Sequence, residues 1–94
     1  MALFAVTLTF TDDLERRLDV RPKHREYLGK LLRDGKLHES GPFRDDSGAL
    51  LIYDAEDVAE VQELLSADPY TPAGIIAGAS IKEWNVVMSR QGTA

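Results

Sequence analysis

In the run Ala49-Leu50-Leu51-Ile52-Tyr53 both alternating sets of side chains are apolar, so a strand built from it needs cover on both of its faces. That requirement limits the folds open to a short chain, because the helices must take one face and something else the other. A second strand is written at Leu3 to Phe10, where Phe4, Val6, Leu8 and Phe10 alternate with Leu3, Ala5, Thr7 and Thr9. Thr11 to Asp19 is polar and predicts an ordered loop with a helical turn around Leu14 to Leu18. A helix is expected from Arg21 to Asp34, with Pro22 in its first turn, an apolar stripe of Tyr27, Leu28, Leu31 and Leu32, and Gly35 as its left-handed stop. His24 extends the stripe toward the N-terminus.

Lys36 to Ser40 predicts a short strand, which Gly41-Pro42 marks as an edge strand or a bulged end. The turn Asp45-Asp46-Ser47-Gly48 then leads into the strand Ala49 to Tyr53. A second helix is expected over Ala55 to Ala67, capped by Asp54 with Asp57 three positions on, and burying Val58, Val61, Leu64 and Leu65. Pro69 and Pro72 hold a loop before a last strand, Ala77 to Val87.

The order β-α-β-β-α-β specifies a ferredoxin-like α+β domain over residues 1–88, with 89–94 as a frayed tail. Its two helices cover one face of a four-stranded antiparallel sheet. The exposed apolar face that remains predicts a homodimer packed sheet to sheet, a dimeric α+β barrel.

Composition narrows the function. Ninety-four residues make one domain, and a hydrophobic fraction of 44% argues against disorder. Sixteen acidic against eleven basic residues leave a net charge of −5, unsuited to non-specific nucleic-acid binding. The absence of cysteine removes thiolate chemistry and disulfides and fits a reducing compartment. The apolar start lacks a basic leader and a cleavage site, and no apolar run approaches the roughly 20 residues that span a bilayer. We expect a soluble, cytoplasmic protein with no membrane partner.

Two histidines without fixed spacing give no metal site, and no GxGxxG or Walker pattern cradles a phosphate. Trp84 and Tyr70 are expected in the core or a pocket wall, and not as a platform for stacked bases. Five basic residues, Arg16, Arg17, Arg21, Lys23 and Arg25, crowd around His24; they read either as a solvated helix face or as an anion site. By themselves His24 and Asp68 also have structural readings, a histidine filling an apolar stripe and an aspartate turning the chain before proline.

The segments Val20-Arg21-Pro22-Lys23-His24 with Tyr27-Leu28, Gly35-Lys36-Leu37, Ser40-Gly41-Pro42, Asp68-Pro69-Tyr70 with Ala73-Gly74, and Ile81 with Trp84 to Val87 follow one another in an order that resembles the YCII-related domain family. The resemblance implies a dimeric ferredoxin-like protomer and a pocket holding a His–Asp pair. By matching position that pair is His24 and Asp68, with Arg21, Ser40, Gly41 and Pro42 nearby. A relative is associated with dehydrochlorination of a chlorinated hydroxyhydroquinone, and similar barrels house isomerases and monooxygenases.

Together these readings lead us to expect cofactor-independent proton transfer by His24 and Asp68. The reaction would be an elimination, isomerisation or dehydrochlorination of a small anionic cyclic or aromatic compound. Arg17, Arg21, Arg25, Ser40, Gly41, Pro42 and Tyr70 are the expected binding residues. Asp68 would favour imidazolium while a first-turn position disfavours it. The alternative is a non-catalytic dimeric ligand-binding or accessory module.

Overall fold

The computed structural model describes residues 2–90 together with 92 and 93. Strand β1 (Ala2–Phe10), helix α1 (Leu14–Arg33), strands β2 (Leu37–Pro42) and β3 (Gly48–Ala55), helix α2 (Val58–Ser66) and strand β4 (Ile76–Trp84) succeed one another in the expected order. The sheet runs β2-β3-β1-β4 and every neighbouring pair is antiparallel, which is the ferredoxin-like arrangement.

Alternation along β1 and β3 decides what the sheet covers. Phe4 faces Tyr53 and Val6 faces Leu51 across the β1–β3 ladder, and all four are buried against Leu28 and Leu31 of α1 and Val61 of α2. On the other face Ala5 pairs with Ile52 and Thr7 with Leu50, and no helix covers them. There Leu50 and Trp84 stay exposed. A shallow recess of about 410 Å³ runs along this outer face between Trp84, Ile52, Leu50 and the β2 segment Glu39 to Pro42.

The first helix departs from the sequence expectation. It begins at Leu14, so the segment read as a loop is helical and Pro22 lies well inside. Asp13 explains the early start: its side chain accepts the Arg16 amide at 3.0 Å, and Glu15 adds a charge suited to the first turn. Pro22 costs the Leu18 carbonyl its helical donor, a loss tolerable at the surface, where Leu18 is exposed. The helix closes as expected. Gly35, at φ 77°, lets its own amide reach the Leu32 carbonyl and the Lys36 amide reach that of Leu31, a Schellman ending.

Three smaller expectations also change. The cap of α2 is Asp57, not Asp54; Asp57 accepts the Glu60 amide at 2.9 Å while Glu60 reaches back to the Glu56 amide. Asp54 is instead part of β3, paired with Leu3. Val58 and Leu32, assigned to buried stripes, are both exposed, Val58 because it opens the helix. The last strand stops at Trp84, short of Val87.

The expected frayed tail contains a short ladder, in which β5 (Met88–Ser89) pairs antiparallel with β6 (Gly92–Thr93). Its Gln91 and Ala94 lie outside the described residues, as does Met1.

Gly48 lies close against β1: a Cβ there would lie 1.8 Å from the Leu8 carbonyl oxygen. Gly48→Ala is expected to destabilise the domain by about 2 kcal/mol or more. Asp57→Ala should remove about 1 kcal/mol through the lost cap. Urea unfolding of both variants checks the order.

Candidate functional site

Asp68 follows α2 directly, and its own chain aims it. The Asp68 amide reaches the Leu65 carbonyl, and its Oδ1 accepts the Tyr70 amide at 2.9 Å in an Asx turn across Pro69. Thr71 Oγ1 donates to the Leu65 carbonyl at 2.7 Å and closes the end of the helix. Arg16 Nε, donating to the Ala73 carbonyl at 2.7 Å, ties this loop to α1.

The carboxylate so placed is wholly buried and meets His24, 44 residues earlier in the chain, with Oδ1 2.7 Å from Nδ1. An ionised carboxylate only accepts hydrogen bonds, so Nδ1 is the donor, and in the neutral imidazole the lone pair of the ring is on Nε2. Tyr70 completes the arrangement from the same turn. Its ring stacks on the imidazole, with centroids 3.7 Å apart and planes inclined by 4°, and it meets Phe10 edge-on at 5.8 Å. Asp68 Oδ2 is buried with no protein partner among the described residues, so the charge leans heavily on its Oδ1 contacts.

The field of that charge is felt by all three tyrosines of the chain. Burial raises Tyr27, Tyr53 and Tyr70 above the ordinary phenol value, and the negative charge of Asp68 raises each further. At Tyr70 the guanidinium groups of Arg17, Arg21 and Arg25 pull the other way, which places all three within electrostatic reach of its hydroxyl. Tyr27 donates to the Leu64 carbonyl at 2.6 Å, fastening α1 to α2 beside the pair.

His24 lies in the wall of a cavity of about 480 Å³ between α1 and the β2–β3 edge. Asp68 stays behind it, outside the lining. Every other residue expected at the site borders this space: Arg17, Arg21 and Arg25 from α1, Ser40, Gly41 and Pro42 from β2, and Tyr70 from the turn. The three arginines recur at intervals of four and share a helix face with His24 and Leu28. Among the described residues Arg21 and Arg25 have no ion-pair or hydrogen-bond partner, whereas Arg17 is bonded to Asp46. Leu28 and Leu51 make the cavity partly apolar.

One part of the sequence reading falls. Because α1 starts at Leu14, neither Arg21 nor His24 is in the first turn, and the helix dipole neither favours an anion at Arg21 nor discourages charge on His24. Anion attraction here rests on the guanidinium groups themselves. The reading also missed Phe10, His38, Glu39 and Asp46 on the wall. Phe10 was recoverable from the β1 alternation, which puts it beyond Leu8 on the helix side. Asp46 left no such signal, because its partner is 29 residues away. His38 is engaged with the neighbouring Glu39 at 2.9 Å. Among the described residues no three His, Asp or Glu side chains converge as metal ligands. No helix there is long and apolar enough to cross a membrane.

Comparison with known proteins finds relatives of the chain. A family model described as the YCII-related domain matches residues 2–85. Protein YciI of Escherichia coli is 35% identical over 86 residues, covering 81% of this chain and 88% of that protein. The uncharacterized protein YjpA of Bacillus subtilis is 33% identical over 63 residues, 67% of this chain and 73% of that one. Among solved structures, 5-chloro-2-hydroxyhydroquinone dehydrochlorinase (TftG) from Burkholderia phenoliruptrix, in complex with 2,5-dihydroxybenzoquinone, superposes with a TM-score of 0.78. It is 30% identical, over 88% of this chain and 93% of that one.

The raised phenols set a pH dependence. The unfolded chain loses its tyrosine protons near the ordinary value of about 10 while the folded chain still holds them, so stability is full below that pH and falls as pH rises through the folded values. Asp68→Asn removes one cause of the shift at all three rings. Its phenolate absorbance should appear at lower pH than in the wild type during a base titration.

Proposed function

The chain belongs to the YCII-related domain family, and from that premise we propose that it is an enzyme that moves protons on a small anionic cyclic or aromatic compound without a cofactor. The observation that carries the reading is the 2.7 Å contact of buried Asp68 with His24 Nδ1, made by a histidine that lines a cavity. Asp68 fixes the tautomer and holds the ring, and Nε2 is the base. It takes a proton from an acidic C–H or O–H of the substrate. The enolate or phenolate charge that develops is met by Arg21 and Arg25. Isomerisation follows if the proton returns to another carbon. Elimination follows if the bond to a halide breaks and the halide leaves with its electron pair.

Likeness to a dehydrochlorinase bound to a dihydroxybenzoquinone supports an oxygenated ring as substrate. Ser40, Gly41 and Pro42 at the β2 edge and Tyr70 beside His24 complete the proposed binding set. The absence of cysteine supports a cytoplasmic setting.

A thermal-shift screen of cyclic acids, phenols and hydroxyquinones finds the ligand, since a compound that binds the native state raises the melting temperature. His24→Ala is expected to keep that shift and to lower turnover of the same compound by about 10²-fold or more, the usual share of a general base. Arg21→Ala should weaken the shift. Ligands that bind without being consumed, by wild type and variant alike, would establish the non-catalytic module instead.

The proposed assembly is a homodimer joined through the outer sheet face. Leu50 and Trp84 are exposed there at 40% and 46%, large apolar groups on a surface no helix covers. Trp84→Glu is expected to shift the sedimentation coefficient from dimer to monomer at micromolar concentration. A wild type that already sediments as a monomer rules the dimer out.

A further inference from the structure

We infer that Asp46 is a specificity-determining residue of the cavity: its carboxylate holds the Arg17 guanidinium and leaves only Arg21 and Arg25 free for an anionic ligand. The inference rests on the reading of the cavity as an anion site.

Arg17 is the buried cation of the wall, 5% exposed. A charge so enclosed needs a counter-charge, and Asp46 Oδ2 supplies it at Nη2. The guanidinium also lies over the Phe10 ring, 4.5 Å from its centroid, while Nε is buried with no partner among the described residues. It is therefore an incompletely satisfied anion receptor whose one ionic partner is an aspartate of the chain.

That aspartate is not needed to build its own turn. Asp45 does so, accepting the Ser47 amide at 3.0 Å and the Ser47 hydroxyl at 2.6 Å. The Asp46 carboxylate takes no part, and its φ of 65° suits Asn equally well. Asp46 borders the cavity with Arg17, yet its side chain is 55% exposed. Its carboxylate thus occupies a place that an anionic group of a ligand would otherwise fill, and it repels any further negative group brought there. Two free guanidinium groups match a ligand with two anionic groups; a third would meet Asp46.

Benzoate, isophthalate and benzene-1,3,5-tricarboxylate place one, two and three carboxylates on the same ring and serve as probes. Calorimetric titration of the wild type is expected to show isophthalate bound at least as tightly as the tricarboxylate. In Asp46→Asn the tricarboxylate should gain on isophthalate by about tenfold, the scale of one charge-assisted hydrogen bond. The gain should vanish when Arg17→Met is added. An unchanged ratio in Asp46→Asn overturns the inference, as does a gain that persists in the double variant, since that reports only a change in net charge.

If circular dichroism shows the double variant unfolded, the single variant is titrated at about 0.5 M salt, where screening acts over about 4 Å. A gain that survives there is a short-range contact, as release of Arg17 requires, and one that disappears overturns the inference. Failure of all three probes to bind either protein removes the anion-site reading and this inference together. Binding with an unchanged ratio removes this inference alone.

Discussion

A carboxylate with no access to water governs this molecule. Asp68 is held by the Tyr70 amide on one side and His24 on the other, and a charge of that kind persists only while its hydrogen bonds are kept. The need reaches outward through both partners. His24 must hold its place on α1, so α1 must stay docked; Tyr27 secures it to α2, and Arg16 secures it to the loop that carries Asp68. Tyr70 must hold the turn, and the same residue then lays its ring against the imidazole. Fold and site share their fastenings, so loosening one loosens the other.

Much of the architecture was legible because periodicity is strong where elements are half-buried. β1 shows its two faces plainly, and Gly35 and the Gly41-Pro42 pair act as anticipated, one as a left-handed stop and the other at a sheet edge. The start of α1 was not legible, for a definite reason. In its first two turns the buried side chain is Arg17 while Leu14 and Leu18 are exposed, so no apolar stripe marks them, and Pro22 imitates a helix beginning. The signal present was Asp13, a local cap outweighed by the proline. At α2 two acidic caps competed, and the strand pairing of Asp54 with Leu3, invisible in one dimension, decided between them.

For the site, the neighbourhood was legible and the connections were not. The motif resemblance put His24, Asp68, Arg21 and the Ser40 to Pro42 segment in one region, and the geometry brings them to one cavity or just behind its wall. Arg17 and Arg25 followed from their nearness to His24 in the sequence, inside one basic cluster. What sequence could not give was the difference among the arginines, because it depends on which side chain crosses from a hairpin to a helix. The dipole argument failed with the helix boundary on which it relied.

The segment Glu39 to Pro42 borders the inner cavity on one side of the sheet and the outer recess on the other. It lies in β2, an edge strand paired with β3 alone and interrupted by a register shift between Leu37 and Glu39. In the proposed dimer, a partner packed outside and a ligand lodged inside would meet the same few residues, so a displacement of β2 would be felt in both compartments. Reciprocity would then require that a ligand which drew the strand inward alter the proposed association at the outer face to the same degree that association altered the ligand.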